Sequence, residues 1–153
     1  MPRAPFQILV LPYRVLDDNS ILYAIFKRAD IEHDIWQGIA GGGEDDETPL
    51  QAARREAFEE AGIPDDSQYM RLSSTMTLPV EKVAGFLWGD EVLVIPEYCF
   101  GVRLDDEQLC LSLEHGEYRW LNYTDAHALF TWDSNKNALW ELDYRLRQIL
   151  GEE

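Results

Sequence analysis

Cysteine is scarce. Cys99 and Cys110 form no CxxC pair and, with only three scattered histidines, leave no cluster with zinc-ligand spacing. Two cysteines also build no disulfide framework, so reduced thiols in a cytoplasmic setting are the expectation. Long apolar runs are missing too. Stretches such as residues 8–11 and 92–95 fall far short of the roughly 20 residues a membrane helix needs, and no membrane partner is expected. Arg3 precedes an apolar stretch, but Pro12, Tyr13 and Arg14 interrupt it and no small-residue cleavage site follows, which argues against a secretory signal. Positive charge is in short supply: 13 basic against 29 acidic side chains give a net charge of -16. Such a surface offers no basic track for a long nucleic acid, so any phosphate-bearing substrate is small and needs a cation to reach the protein.

What is present is an ordinary globular composition. The chain has 153 residues, 46% hydrophobic and 12% aromatic with five Trp, enough to bury a substantial core in one domain over residues 1–153. No repeat, low-complexity tract or linker divides it, and a homo-oligomer is left open. Residues 6–15 and 21–28 are apolar and β-branched on either side of a turn at residues 16–20, the pattern of a hairpin. A short strand over residues 35–40 runs into Gly41, Gly42 and Gly43, which read either as a loop able to approach a ligand closely or simply as a tight bend. Thr48 as N-cap, Pro49 at the first helical position and Gln51 completing a capping box start a helix that stops near Gly62. Leu50, Ala53, Ala57 and Ala61 give it a small-residue face suited to lie against a sheet. Further strands are predicted over residues 69–78, 91–104 and 118–121. A short helix over 125–130 follows, then a last one from about Ser134 with Leu139, Leu142, Leu146 and Ile149 as its apolar stripe. The fold class is α/β, a mixed β-sheet between helices.

Glu56, Glu59 and Glu60 stand at i, i+3 and i+4 on the first helix, where like charges repel by a few tenths of a kcal/mol per pair, on the order of 0.2–0.5. The last two also lie in the final turn, where the helix dipole disfavours anions by roughly 0.3–1 kcal/mol each. Arg55 can pair with Glu59 across one turn, but Glu56 and Glu60 lack an obvious partner within the helix. Helix stability therefore does not account for them. Either they form a solvated acidic face, or they gather oxygen ligands for a hard divalent ion such as Mg2+ or Mn2+.

The spacing upstream bears on that choice. Five residues separate Gly41 from Glu47, seven more precede Arg55, and Arg55-Glu56-Ala57-Phe58-Glu59-Glu60-Ala61-Gly62-Ile63 follows. This resembles the Nudix box, G-x5-E-x7-R-E-U-x-E-E-x-G-U with U a bulky aliphatic, and departs from it only at Ala57. The resemblance implies an α/β/α sandwich whose loop-helix-loop binds a divalent metal and a pyrophosphate. It implies Glu56, Glu59 and Glu60 as metal ligands, the Ala40 carbonyl as a further ligand, and Glu56 also as general base. Glu47 and Arg55 would hold the loop to the helix, between Gly41 and Gly62. The chemistry implied is attack of a water on phosphorus, with the metal neutralising the pyrophosphate and acidifying that water.

One further acidic ligand from beyond the box is expected in this family. Glu114 is the choice, as ligand and catalytic residue, with Glu117 as competitor and His115 as structural. Arg3, Arg28 and Lys82 are candidates to contact substrate phosphates, and the sequence does not rank them. Trp36, Phe86 and Trp88 are candidates to stack on a purine or pterin ring, with core packing as the other use of such residues. Two segments, Ile35-Trp36-Gln37 and Trp132-Asp133-Ser134-Asn135-Lys136, resemble the dihydroneopterin triphosphate pyrophosphatase branch. The expected substrate is accordingly a pteridine or nucleoside triphosphate. The diadenosine polyphosphate hydrolase branch, which shares the Glu-His and Tyr118-Arg119-Trp120 elements, is the alternative, and a catalytically silent nucleotide sensor is the opposing class.

Overall fold

Alternation along the first strand decides the architecture. In β1 (Arg3–Val15), Ile8 and Val10 join one apolar cluster and Leu9 and Leu11 the other, all four at most 1% exposed, so both faces of the strand are covered. The computed structural model describes residues 2–29, 34–112 and 115–151. Within them the order is β1, β2 (Ile21–Arg28), β3 (Trp36–Gln37), β4 (Ile39–Glu44), α1 (Pro49–Ala61), β5 (Gln68–Pro79), β6 (Val94–Arg103), β7 (His115–Leu121), α2 (Tyr123–Leu129) and α3 (Asp133–Ile149).

The strands form one seven-stranded mixed sheet. Its path runs β3-β2-β1-β6-β5, with β4 on β1 and β7 on β2. β1 and β6 are parallel, Gln7 opposite Glu97 and Leu9 opposite Cys99, and the other pairings are antiparallel. α1 covers one face, laying Ala52, Ala53, Ala57 and Ala61 against Ile8, Val10, Phe26 and Phe100. Alanines keep that helix close, and the site's carboxylates ride on it. α2 and α3 cover the other face, where Leu139, Leu142 and Leu146 pack on Leu9, Leu11, Tyr23 and Cys99. Each such leucine contributes roughly 1.5–3 kcal/mol by leaving water. Tyr23 also donates its hydroxyl to Asp143 Oδ1 at 2.6 Å, tying β2 to α3.

Three expectations are corrected. Gly41, Gly42 and Gly43 lie in β4, pairing Gly41 with Ile8 and Gly42 with Gln7, rather than in a loop. The strand expected over residues 35–40 is broken at Gly38, where the chain leaves the edge of β2 for the edge of β1 and Asn135 Oδ1 takes the Gly38 N–H at 2.8 Å. Leu50 and Ile149, assigned to apolar helix faces, are 38% and 68% exposed, because each sits in a terminal turn beyond its cluster.

Candidate active site

α1 is fixed at both ends by local chemistry. Thr48 Oγ1 accepts from Gln51 N and Gln51 Oε1 from Thr48 N, a complete capping box, and Gly62 ends the helix with φ of 68°, a left-handed conformation costly for a residue with a β-carbon. The helix thus carries Glu56 and Glu60 in a set register toward β4.

Arg55 is the hub of the acidic face. Its Nε donates to Glu47 Oε2 at 2.8 Å and its Nη2 to Glu47 Oε1 at 3.0 Å and to the Gly42 carbonyl at 2.8 Å. Nη1 reaches Glu56 Oε1 at 3.0 Å, Glu59 at 3.4 Å and Glu44 at 3.5 Å. Glu56 therefore has a partner on its own helix, contrary to the expectation from spacing: the guanidinium folds back over the next residue instead of pointing away. The Glu47 carboxyl also accepts the Glu44 N–H, so loop, strand and helix meet at one ion pair. Hydrogen bonding from Arg55 holds the Glu47 carboxyl below the usual range, and the same pairing raises the already high pKa of Arg55. Burial acts the other way on Glu56, whose carboxyl is pushed up despite the adjacent Arg55.

Glu56 and Glu60 line a cleft of about 510 Å³ together with Ala40 and Gly41, and Arg3, Arg28 and Lys82 line it as well. An acidic helix and three basic side chains from β1, β2 and the turn after β5 thus share one concavity. A β-carbon at Gly41 would overlap the Glu56 carboxyl and one at Gly42 the Arg3 guanidinium, so close approach is what requires glycine there. Gln7, Gln37 and Glu44 line the cleft too; Gln37 entered the sequence reading only within the Ile35-Trp36-Gln37 resemblance, and Gln7 and Glu44 were not singled out. Their signal is register, since Gln7 is opposite Gly42, and register is set by residues far apart in the chain.

Other candidates lie elsewhere. Glu59 is half-exposed and bonded to Arg55 rather than lining the cleft. Trp36 is 5% exposed in the core beside α3, with the Arg119 guanidinium 4.7 Å from its ring, which leaves it little free face for stacking. Trp88 donates its indole N–H to the Arg3 carbonyl at 2.9 Å, fastening the segment after β5 beside the cleft, and Phe86 is exposed. Glu117 is half-exposed and 3.4 Å from Arg119. Glu114 lies outside the described residues.

The donor set suits a hard divalent cation: two carboxylates one helical turn apart, Glu56 and Glu60, line the same cleft as Ala40. Among the described residues no three ligating side chains already converge on one point, and Arg55 is the positive charge the crowded acids share.

Comparison with known proteins agrees with this geometry. The model of the NUDIX domain matches residues 13–141. The chain is 30% identical over 140 residues to the dihydroneopterin triphosphate diphosphatase of Escherichia coli, covering 90% of this chain and 91% of that one. It is 32% identical over 127 residues to an RNA pyrophosphohydrolase of Cereibacter sphaeroides, covering 74% and 78%. A crystal structure described as that of a Nudix hydrolase from Listeria monocytogenes superposes with a TM-score of 0.85 at 38% identity, covering 95% of this chain and 97% of that one. With a family match across most of its length and a mixed sheet between helices, the chain belongs to the Nudix family of hydrolases.

Proposed function

We propose that this Nudix hydrolase is a Mg2+-dependent pyrophosphohydrolase of a small triphosphate, with dihydroneopterin triphosphate or a nucleoside triphosphate as substrate and the monophosphate and pyrophosphate as products. The observation that carries this reading is the shared cleft: Glu56 and Glu60 with Arg3, Arg28 and Lys82. Similarity to the Escherichia coli diphosphatase supports the pteridine substrate. The net charge of -16 favours a small substrate over a long polyanion, although one relative acts on RNA.

Glu56, Glu60 and the Ala40 carbonyl would hold the divalent ion from the cleft wall, joined by Glu114 or Glu117, and Glu59 would reach it only by leaving Arg55. When bound, that ion supplies charge neutralisation at the phosphates and makes water easier to deprotonate. Arg3, Arg28 and Lys82 bind phosphate oxygens and set the anhydride in line. Glu56 accepts the proton of the attacking water as its oxygen bonds to phosphorus and the bridging P–O bond breaks, with pyrophosphate leaving.

The test is a Mg2+-supplemented panel of dihydroneopterin triphosphate, the NTPs and dNTPs, ADP-ribose and diadenosine tetraphosphate, read by kcat/KM. A pteridine or nucleoside triphosphate is expected to rank first. Diadenosine tetraphosphate ranking first would assign the chain to the alternative branch.

A further inference from the structure

Three buried side-chain polar atoms among the described residues have no hydrogen-bond partner: Arg3 Nε, Tyr69 Oη and Glu97 Oε1. Two of them flank one residue. Gln7 lines the cleft and its Oε1 accepts from Arg3 Nη2 at 2.6 Å, while across the sheet Gln7 stands directly opposite Glu97. Opposed residues project from the same face of a sheet, and Glu97 alternates with Cys99, which packs toward α3. Glu97 is 6% exposed, and its other neighbours on that face are Met76, Ile95 and Cys99. A carboxyl is thus set among apolar groups with one oxygen unserved.

We propose that Glu97 is a specificity residue that accepts paired N–H donors from the 2-amino-4-oxopyrimidine edge of the substrate's ring, the edge shared by guanine and reduced pterins. The inference rests on the cleft being the substrate site, as proposed above. Gly42, against which the Arg3 guanidinium lies, and Glu97 are separated by β1, so their backbones are two strand spacings apart, roughly 10 Å. That span matches a polyphosphate held at Arg3 with its ring farther along the same face. Phosphate is not the occupant at Glu97, because a carboxyl repels it. A metal ion is a poor occupant as well, because the Gln7 amide oxygen is already taken by the Arg3 guanidinium and Met76, Ile95 and Cys99 supply no further oxygen. A flat ring with two adjacent N–H donors satisfies both carboxylate oxygens and buries its faces on the apolar neighbours. Burial raises the Glu97 carboxyl to about 7, and two N–H donors would restore the ionised form on binding.

The test compares GTP with ITP, which lacks the 2-amino group, and adds dihydroneopterin triphosphate, on wild type, Glu97→Gln and Glu97→Ala. The wild type is expected to favour GTP over ITP in kcat/KM by at least about tenfold, and both variants to bring the ratio near one. Dihydroneopterin triphosphate should lose by about the same factor as GTP in the variants, and whichever of the two the wild type prefers identifies the source of the edge. Equal use of GTP and ITP by the wild type, or a preference that survives both substitutions, overturns the inference without needing either variant to behave identically in folding, which melting curves monitor. If no triphosphate is hydrolysed, the proposed activity fails by itself, and calorimetric binding of GTP against ITP to wild type and variants decides the Glu97 assignment by the same ratio.

Discussion

Arg55 and Glu47 meet in a two-point pair, Nε on Oε2 at 2.8 Å and Nη2 on Oε1 at 3.0 Å, tying the turn after β4 to a residue inside α1 seven positions farther along the chain than Thr48. The second nitrogen also holds the Gly42 carbonyl, so this pair fixes the carboxylate-bearing helix relative to the strand behind it. Removing the guanidinium leaves Glu47 half-buried and several acids without a counter-charge. Arg55→Ala is expected to cost about 2 kcal/mol, a fall in Tm of roughly 4–8 °C, with Arg55→Lys recovering only part of it because lysine lacks the planar fork. Thermal melting at fixed salt checks both.

Crowded carboxylates should respond to a cation by mass action. Mg2+ at about 10 mM is expected to raise the Tm of the wild type by several degrees, on the order of 3–8 °C, and Glu60→Gln to shrink that rise. A melting curve indifferent to Mg2+ and Mn2+ would count against the ion site.

The distal acid is separable by mutation. Glu114→Gln is expected to lower kcat by at least about tenfold and Glu117→Gln by less than about threefold. The reverse order in steady-state kinetics would make Glu117 the distal acid.

Acid stability has a named contributor in Glu141. Burial works against its ionisation, but the Ser74 hydroxyl, the Ser73 and Ser74 amides and Arg145 outweigh burial and hold the carboxyl at about 2. The folded pKa lies below the unfolded one, so this stabilisation is complete above the unfolded value of about 4.3 and is lost as pH falls toward the folded value. Glu141→Gln is expected to be about 2 kcal/mol less stable at pH 7, allowing for partial exposure, with the gap closing between about pH 4 and 2. Chemical denaturation across that window measures it.

The elements legible in the sequence were those set by short-range chemistry. The start and stop of α1 followed from Thr48, Pro49, Gln51 and Gly62, and the leucine stripe of α3 from helical periodicity. The β1–β2 hairpin was legible as well, from its turn, whereas features set by pairing between strands distant in the chain were not. Gly41 to Gly43 look like a loop until β1 is laid beside them, and the turn of the chain at Gly38 depends on Asn135, 97 positions away. At the candidate site, spacing put Glu56, Glu59 and Glu60 on one side of α1, and the structure brings Glu56 and Glu60, but not Glu59, to the cleft. The placement of Gln7 opposite Glu97 was not legible, because it is a matter of parallel register between β1 and β6. Trp36 was ambiguous for a different reason: an indole serves a core and a ligand equally well, and only its 5% exposure separates the two.

If Glu56 drives metal-dependent cleavage of a phosphoanhydride in a small triphosphate, the reaction products show it. Dihydroneopterin triphosphate incubated with wild type and with Glu56→Gln, with and without Mg2+, is resolved by chromatography and assayed for pyrophosphate. Monophosphate and pyrophosphate should form in equal amounts only with wild type and Mg2+, and Glu56→Gln should reduce kcat by about two to four orders of magnitude while its melting curve stays cooperative. No turnover of this or any other small triphosphate, while a nucleotide still binds calorimetrically, would contradict the claim and identify a silent sensor instead.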